Sequence, residues 1–123
     1  FSARSGGVVL DGASEQNMSG SRTGASAFNN VEFTGAGTKT FNNHASTTNI
    51  TLKTGSTVVA PSQLSLVGNY INNGTFTASV SEVIFAGVSI QTATGTMTDS
   101  SEFYDLSISN ISGNGITYPS VAF

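Results

Sequence analysis

Val8-Val9-Leu10-Asp11-Gly12 returns later in the chain as Val83-Ile84-Phe85-Ala86-Gly87, three apolar strand formers running into a turn closed by glycine. Working outward in the same register, Phe1 falls on Phe76, Ala3 on Ala78, Ser14 on Ser89, Gln16 on Gln91 and Gly20 on Gly95. Thr23, Ser26 and Phe28 then meet Thr98, Ser101 and Phe103, with no gap. Ten identities over 28 positions exceed what a Ser/Thr/Gly bias produces, so the chain carries an internal repeat. Val31 and Phe33 continue onto Leu106 and Ile108; beyond them the identities fade, although Phe41 still meets Ile116. Residues 1–75 read as one copy and 76–123 as a partial second copy continuous with the first, the pattern expected of a section of a longer array.

Inside a copy the apolar segments are short and alternating. Val8-Leu10, Val31-Phe33, Ile50-Leu52, Leu64-Leu66, Val83-Phe85 and Leu106-Ile108 read as strands. Gly35-Ala36-Gly37, Asn42-Asn43, Asn72-Asn73-Gly74 and Gly113-Asn114-Gly115 read as the turns between them. Strands at this wide, turn-marked spacing predict an all-β fold, a parallel β-solenoid in which each coil adds one rung to every sheet. The repeat that runs from Val8 to Val83 would be its building unit. The competing arrangement, tandem immunoglobulin-like β-sandwiches, needs about seven strands per unit at 8–12-residue spacing. Fewer apolar strands than that are visible.

Ser, Thr, Asn and Gly make up roughly half of the 123 residues and only 9% are charged, which disfavours helix. Eight Phe, three Tyr and abundant β-branched residues argue against disorder. With a net charge of -3 and only Arg4, Arg22, Lys39 and Lys53 as cations, the chain cannot neutralise a phosphate backbone, which argues against nucleic acid as a partner. Cysteine is absent, so disulfides and thiolate metal sites play no part, and no apolar stretch is long enough to predict membrane insertion.

Asn72-Asn73-Gly74-Thr75-Phe76, Val83-Ile84-Phe85-Ala86-Gly87, Gln91, Gly95 and Phe103-Tyr104-Asp105-Leu106-Ser107-Ile108-Ser109-Asn110 form a spaced series. That series resembles the repeat of very large secreted and cell-surface proteins of Bacteroidetes-type bacteria, including adhesin-like proteins exported by the type IX secretion route. The first copy departs from it, with Asn29-Asn30-Val31-Glu32-Phe33-Thr34 in place of the last segment. The resemblance is good from Asn69 to Asn110 and loose elsewhere. It implies an exported, repetitive module for attachment or surface filaments, with no catalytic residues to transfer.

The residues that could carry chemistry are few. His44, the one histidine, sits in polar turn-like sequence with Pro119 as its counterpart, so a Ser/His/Asp set has no support. Among the carboxylates only Asp99, Glu102 and Asp105 cluster, without the spacing of a calcium loop, and they read as charges that protect a sheet edge. The pairs Thr38/Thr40, Thr75/Thr77, Thr94/Thr96 and Thr96/Thr98 suggest a ranked, ice-ordering face, but their irregular spacing predicts that they do not stack. Asn29-Asn30, Asn42-Asn43 and Asn72-Asn73 are candidates for amide ladders at recurring turns. No catalytic, cofactor-binding or metal-ligating residue is assigned, and no cofactor is expected.

The expected role is a non-catalytic structural or adhesive segment of an extracellular surface protein or filament, a stalk or multivalent attachment surface. Its partners would be further repeats or identical subunits, joined end to end. The alternative is a carbohydrate-binding β-helix module that recognises surface glycans or, more remotely, processes them. It requires Tyr70, Tyr104 and Tyr118 on one solvated face.

Overall fold

The computed structural model describes residues 6–119; Phe1, Ala3, Arg4 and the end of the second copy lie outside them. The described chain holds thirteen strands and no α-helix: β1 Gly7–Leu10, β2 Gln16–Met18, β3 Phe28–Phe33, β4 Thr38–Phe41, β5 Ala45–Leu52, β6 Thr57–Val59 and β7 Gln63–Leu66. They continue as β8 Tyr70–Asn72, β9 Thr75–Thr77, β10 Glu82–Phe85, β11 Gln91–Gly95, β12 Asp105–Ile108 and β13 Ile116–Thr117. Two 3-10 turns, Gly24–Ser26 and Asp99–Ser101, interrupt the series.

Every strand pair is parallel, which makes the fold a β-solenoid and excludes the antiparallel sandwich. The strands fall into three columns. On the first face Val8 stacks under Val31, Ile50, Tyr70 and Ala93. Gln16, Lys39, Val58 and Phe76 rank the second face, formed by β2, β4, β6 and β9. Ala45, Leu64, Val83 and Leu106 rank the third. The first and third faces merge into one nine-stranded sheet because β5, eight residues long, runs through both without a corner; the second face is a separate four-stranded sheet.

Period-2 alternation gives each strand one inward and one outward set. Leu64 and Leu66, Val83 and Phe85, and Ile50 and Leu52 point inward and are fully buried. Two groups of edge-to-face rings fill the interior: Phe28, Phe33 and Phe41 towards the first coils, and Tyr70, Phe76, Phe85 and Phe103 towards the last. All six strands read from the sequence are present. The strands of the second face, and β8, β11 and β13 of the first, escaped that reading: the inward positions of β2, β4 and β11 include Gln16, Lys39 and Gln91, and β6, β8, β9 and β13 are only two or three residues long. Lys39 is fully buried, and its Nζ donates to the carbonyls of Gly12 (3.0 Å) and Gly35 (2.8 Å) at the corner between two coils. Asn72, read as a turn residue, is instead the buried end of β8, where its side chain donates to Thr96 O and accepts from Gly74 N.

The sequence repeat recurs in local structure. In each copy a glutamine Oε1 accepts the amide four residues earlier, Gly12 N to Gln16 and Gly87 N to Gln91, both at 2.8 Å. Gly20 and Gly95 both take positive φ, +83° and +93°, where a side chain would be strained, and the two 3-10 turns correspond. One coil, however, is far shorter than one copy: it runs only from Val58 to Phe76, or from Gln91 to Ile116. The repeat therefore spans three coils and two further sides, with Val8 on the first face and Val83, its counterpart, on the third.

Candidate functional site

Outward side chains are where a solenoid meets other matter, and the three faces differ in what they leave available. On the first face an asparagine series ties neighbouring coils together: Asn49 Nδ2 donates to Asn30 Oδ1 (2.7 Å), Asn69 N to Asn49 Oδ1 (2.8 Å) and Thr92 N to Asn69 Oδ1 (2.9 Å). In place of the expected ladder of side-chain amides there is one amide-to-amide bond, Asn49 to Asn30, continued by backbone N–H groups that donate to Asn49 and Asn69. Asn42 and Asn43 instead bond Ser19 and Gly20, and Asn72 lies inside. Lys53 and Glu32 add an exposed ion pair at 3.5 Å.

The third face is also cross-linked. Glu82 accepts from Ser107 Oγ (2.6 Å) and from Gln63 Nε2 (3.0 Å), joining three coils. Those two donors, Ser107 first, hold its carboxyl below the ordinary carboxylate range. Along the corner that joins this face to the first stand Val67, Val88, Ile90 and Ile111, all exposed.

The second face presents Thr38, Thr57 and Thr75 in one outward rank and Thr40, Val59 and Thr77 in the next. The expectation that the Thr-x-Thr pairs would not stack is overturned for Thr38/Thr40 and Thr75/Thr77. The coil from Thr38 to Thr57 is slightly longer than the coil from Thr57 to Thr75, and the corners absorb the difference. The strands therefore keep register although the sequence spacing does not.

The tyrosines do not share a solvated face. Tyr70 is fully buried among Phe76, Phe85 and Phe103, and burial drives its phenol pKa far upward, with Asn72 opposing weakly. Tyr118 packs against the core and is likewise raised by burial. Only Tyr104, 68% exposed, faces water; it borders a shallow depression with Thr77, Ser79, Asp99, Ser100 and Glu102. Asp105 of the sequence cluster lies elsewhere, beside Glu82 on the third face. His44 is exposed, and its backbone carbonyl accepts from Arg22 N. Among the described residues no three His, Cys, Asp or Glu side chains are placed to hold a metal ion, and no helix is long and apolar enough to cross a membrane.

This geometry defines a parallel β-solenoid with three unlike outward faces. No family model, curated protein or solved structure matches the chain.

Proposed function

We propose that the protein is a non-catalytic structural and adhesive segment of an extracellular surface protein or filament, stacked end to end with further coils. The observation that carries this reading is the stack itself, in which inward positions of successive coils rank one above another, Ala45, Leu64, Val83 and Leu106 on one face and Val31, Ile50, Tyr70 and Ala93 on another. Each coil buries its ranks against the coils on either side, an architecture that lengthens by adding like coils, from the same chain or from another copy. The apolar corner of Val67, Val88, Ile90 and Ile111 supports the adhesive part of the reading.

Negative-stain electron microscopy of the native material, beside its denatured mass, tests this. A fibre with a denatured mass far above 12.6 kDa is a covalent array, and a fibre that dissolves into chains of that mass is built from subunits. A compact, monodisperse particle would refute stacking.

One observation favours a second reading, glycan binding. Tyr104 offers an exposed ring beside the carboxylates of Asp99 and Glu102, a pairing that suits a sugar's apolar face and its hydroxyls. Glycan-array binding abolished by Tyr104→Ala would support it; binding unchanged by that substitution would dismiss this depression.

A further inference from the structure

We propose that the second face binds ice, as a flat plate of ranked threonines that holds surface water in lattice register. Parallel strands repeat each rank about 4.7–4.9 Å from coil to coil, and alternate residues along a strand lie about 6.5 Å apart. Thr38, Thr57 and Thr75 therefore form one line of hydroxyl and methyl groups, and Thr40, Val59 and Thr77 a second line parallel to it. This two-way repeat approximates the oxygen spacing on a prism plane of ice. Branching at Cβ restricts each threonine to few rotamers, so a rank presents its groups alike with little entropy left to lose.

Three further features separate this face from the others. Among the described residues the hydroxyls of Thr38, Thr40, Thr57, Thr75 and Thr77 bond no protein group and stand together in two adjacent ranks broken only at Val59. On the first and third faces free hydroxyls such as Thr51 and Ser65 are interrupted by apolar Ile71 and Ile84 and by side chains tied to one another, as in Asn30 with Asn49 and Glu82 with Gln63 and Ser107. Five unspent hydroxyls leave their hydrogen bonds to water. The two ranks contain no charge, in keeping with a neutral lattice; Glu15 lies towards one end of the face, and Asp99 and Glu102 towards the other. The one cation in these strands, Lys39, is turned inward and buried, so the plate stays neutral although its sequence reads Thr-Lys-Thr. A methyl beside each hydroxyl orders adjacent water without binding it tightly, and Val59 preserves that methyl pattern.

The test is partition of the whole chain into slowly growing polycrystalline ice, with crystal habit observed under a cold-stage microscope. The expected result is enrichment in the ice and faceted crystals. Thr57→Lys, in the centre of the plate, should reduce enrichment to that of a non-binding control protein, whereas Thr57→Val should retain it. Thr51→Lys, outward on the first face, should leave it unchanged, with circular dichroism showing all variants folded. Exclusion of the wild-type chain from ice, with round unshaped crystals, would overturn the proposal by itself, whether or not any variant folds. Equal losses in folded Thr57→Lys and Thr51→Lys would also overturn it.

Discussion

The strand, turn and strand that open the first copy, Gly7 to Phe33, and their counterparts in the second, Glu82 to Ile108, share local structure but not environment. In the first copy Val8 and Leu10 are partly exposed, while Val31 and Phe33, one coil on, are buried. In the second the order is reversed: Val83 and Phe85 are fully buried, while Leu106 and Ile108 are not. Gln16 is partly exposed, and its counterpart Gln91 is sealed in. Burial in a solenoid is set by the coils above and below, so one sequence pattern serves as rim at one level and as core at another. Local conformation belongs to the repeat; its energetic weight belongs to the stack.

If that distinction holds, equivalent substitutions must have unequal effects. Phe85→Ala, which removes a ring packed against Tyr70 and Phe103, should cost about 3–5 kcal/mol in denaturant unfolding, and Leu10→Ala at the rim about 2 kcal/mol or less. Equal losses would break the comparison. Gln91→Ala comes next, because Gln91 accepts from Gly87 N and Asn110 Nδ2 and donates to Leu66 O and Gly68 O, so its loss breaks four hydrogen bonds that link three coils. We expect a loss of about 2–4 kcal/mol, against about 1 kcal/mol for Gln16→Ala, which gives up a single half-buried bond. The melting shifts of the two variants, measured side by side, sharpen the ratio.

Outward interactions should weigh least. Lys53→Ala breaks an ion pair whose side chains are 50% and 40% exposed and should change stability by about 0.5 kcal/mol or less, an effect that salt erases. Glu82 gives a small pH signature. Its carboxyl pKa is lower folded than unfolded, so its stabilising contribution is present above the unfolded value and fades as the pH falls through the folded one. The acid side of the stability profile should flatten in Glu82→Gln, and an unchanged profile would deny Glu82 that role.

The architecture was legible where two apolar residues flank one outward position, as in Leu64-Ser65-Leu66, because such triplets leave no doubt about the period. It was illegible on the second face. There Lys39 looks like a surface cation, yet the carbonyls of Gly12 and Gly35 accept its ammonium; the sequence marks both glycines as turns, but not that the two turns stack into one buried corner. Tyr70 entered the glycan alternative as a solvated aromatic, and only the ring cluster around it places it in the core. The threonine ranks were misjudged for a different reason: register in a parallel sheet depends on where corners release their extra residues, and equal spacing in sequence is not required.

The mismatch between repeat and coil has a consequence for any longer stack. Because each copy ends two sides further round than a whole number of coils, like leaves set about a stem, the next begins on a different side, and only the fourth faces the way the first did. A stem so arranged would offer the same motif in three compass directions, gripping whatever approached without having to turn.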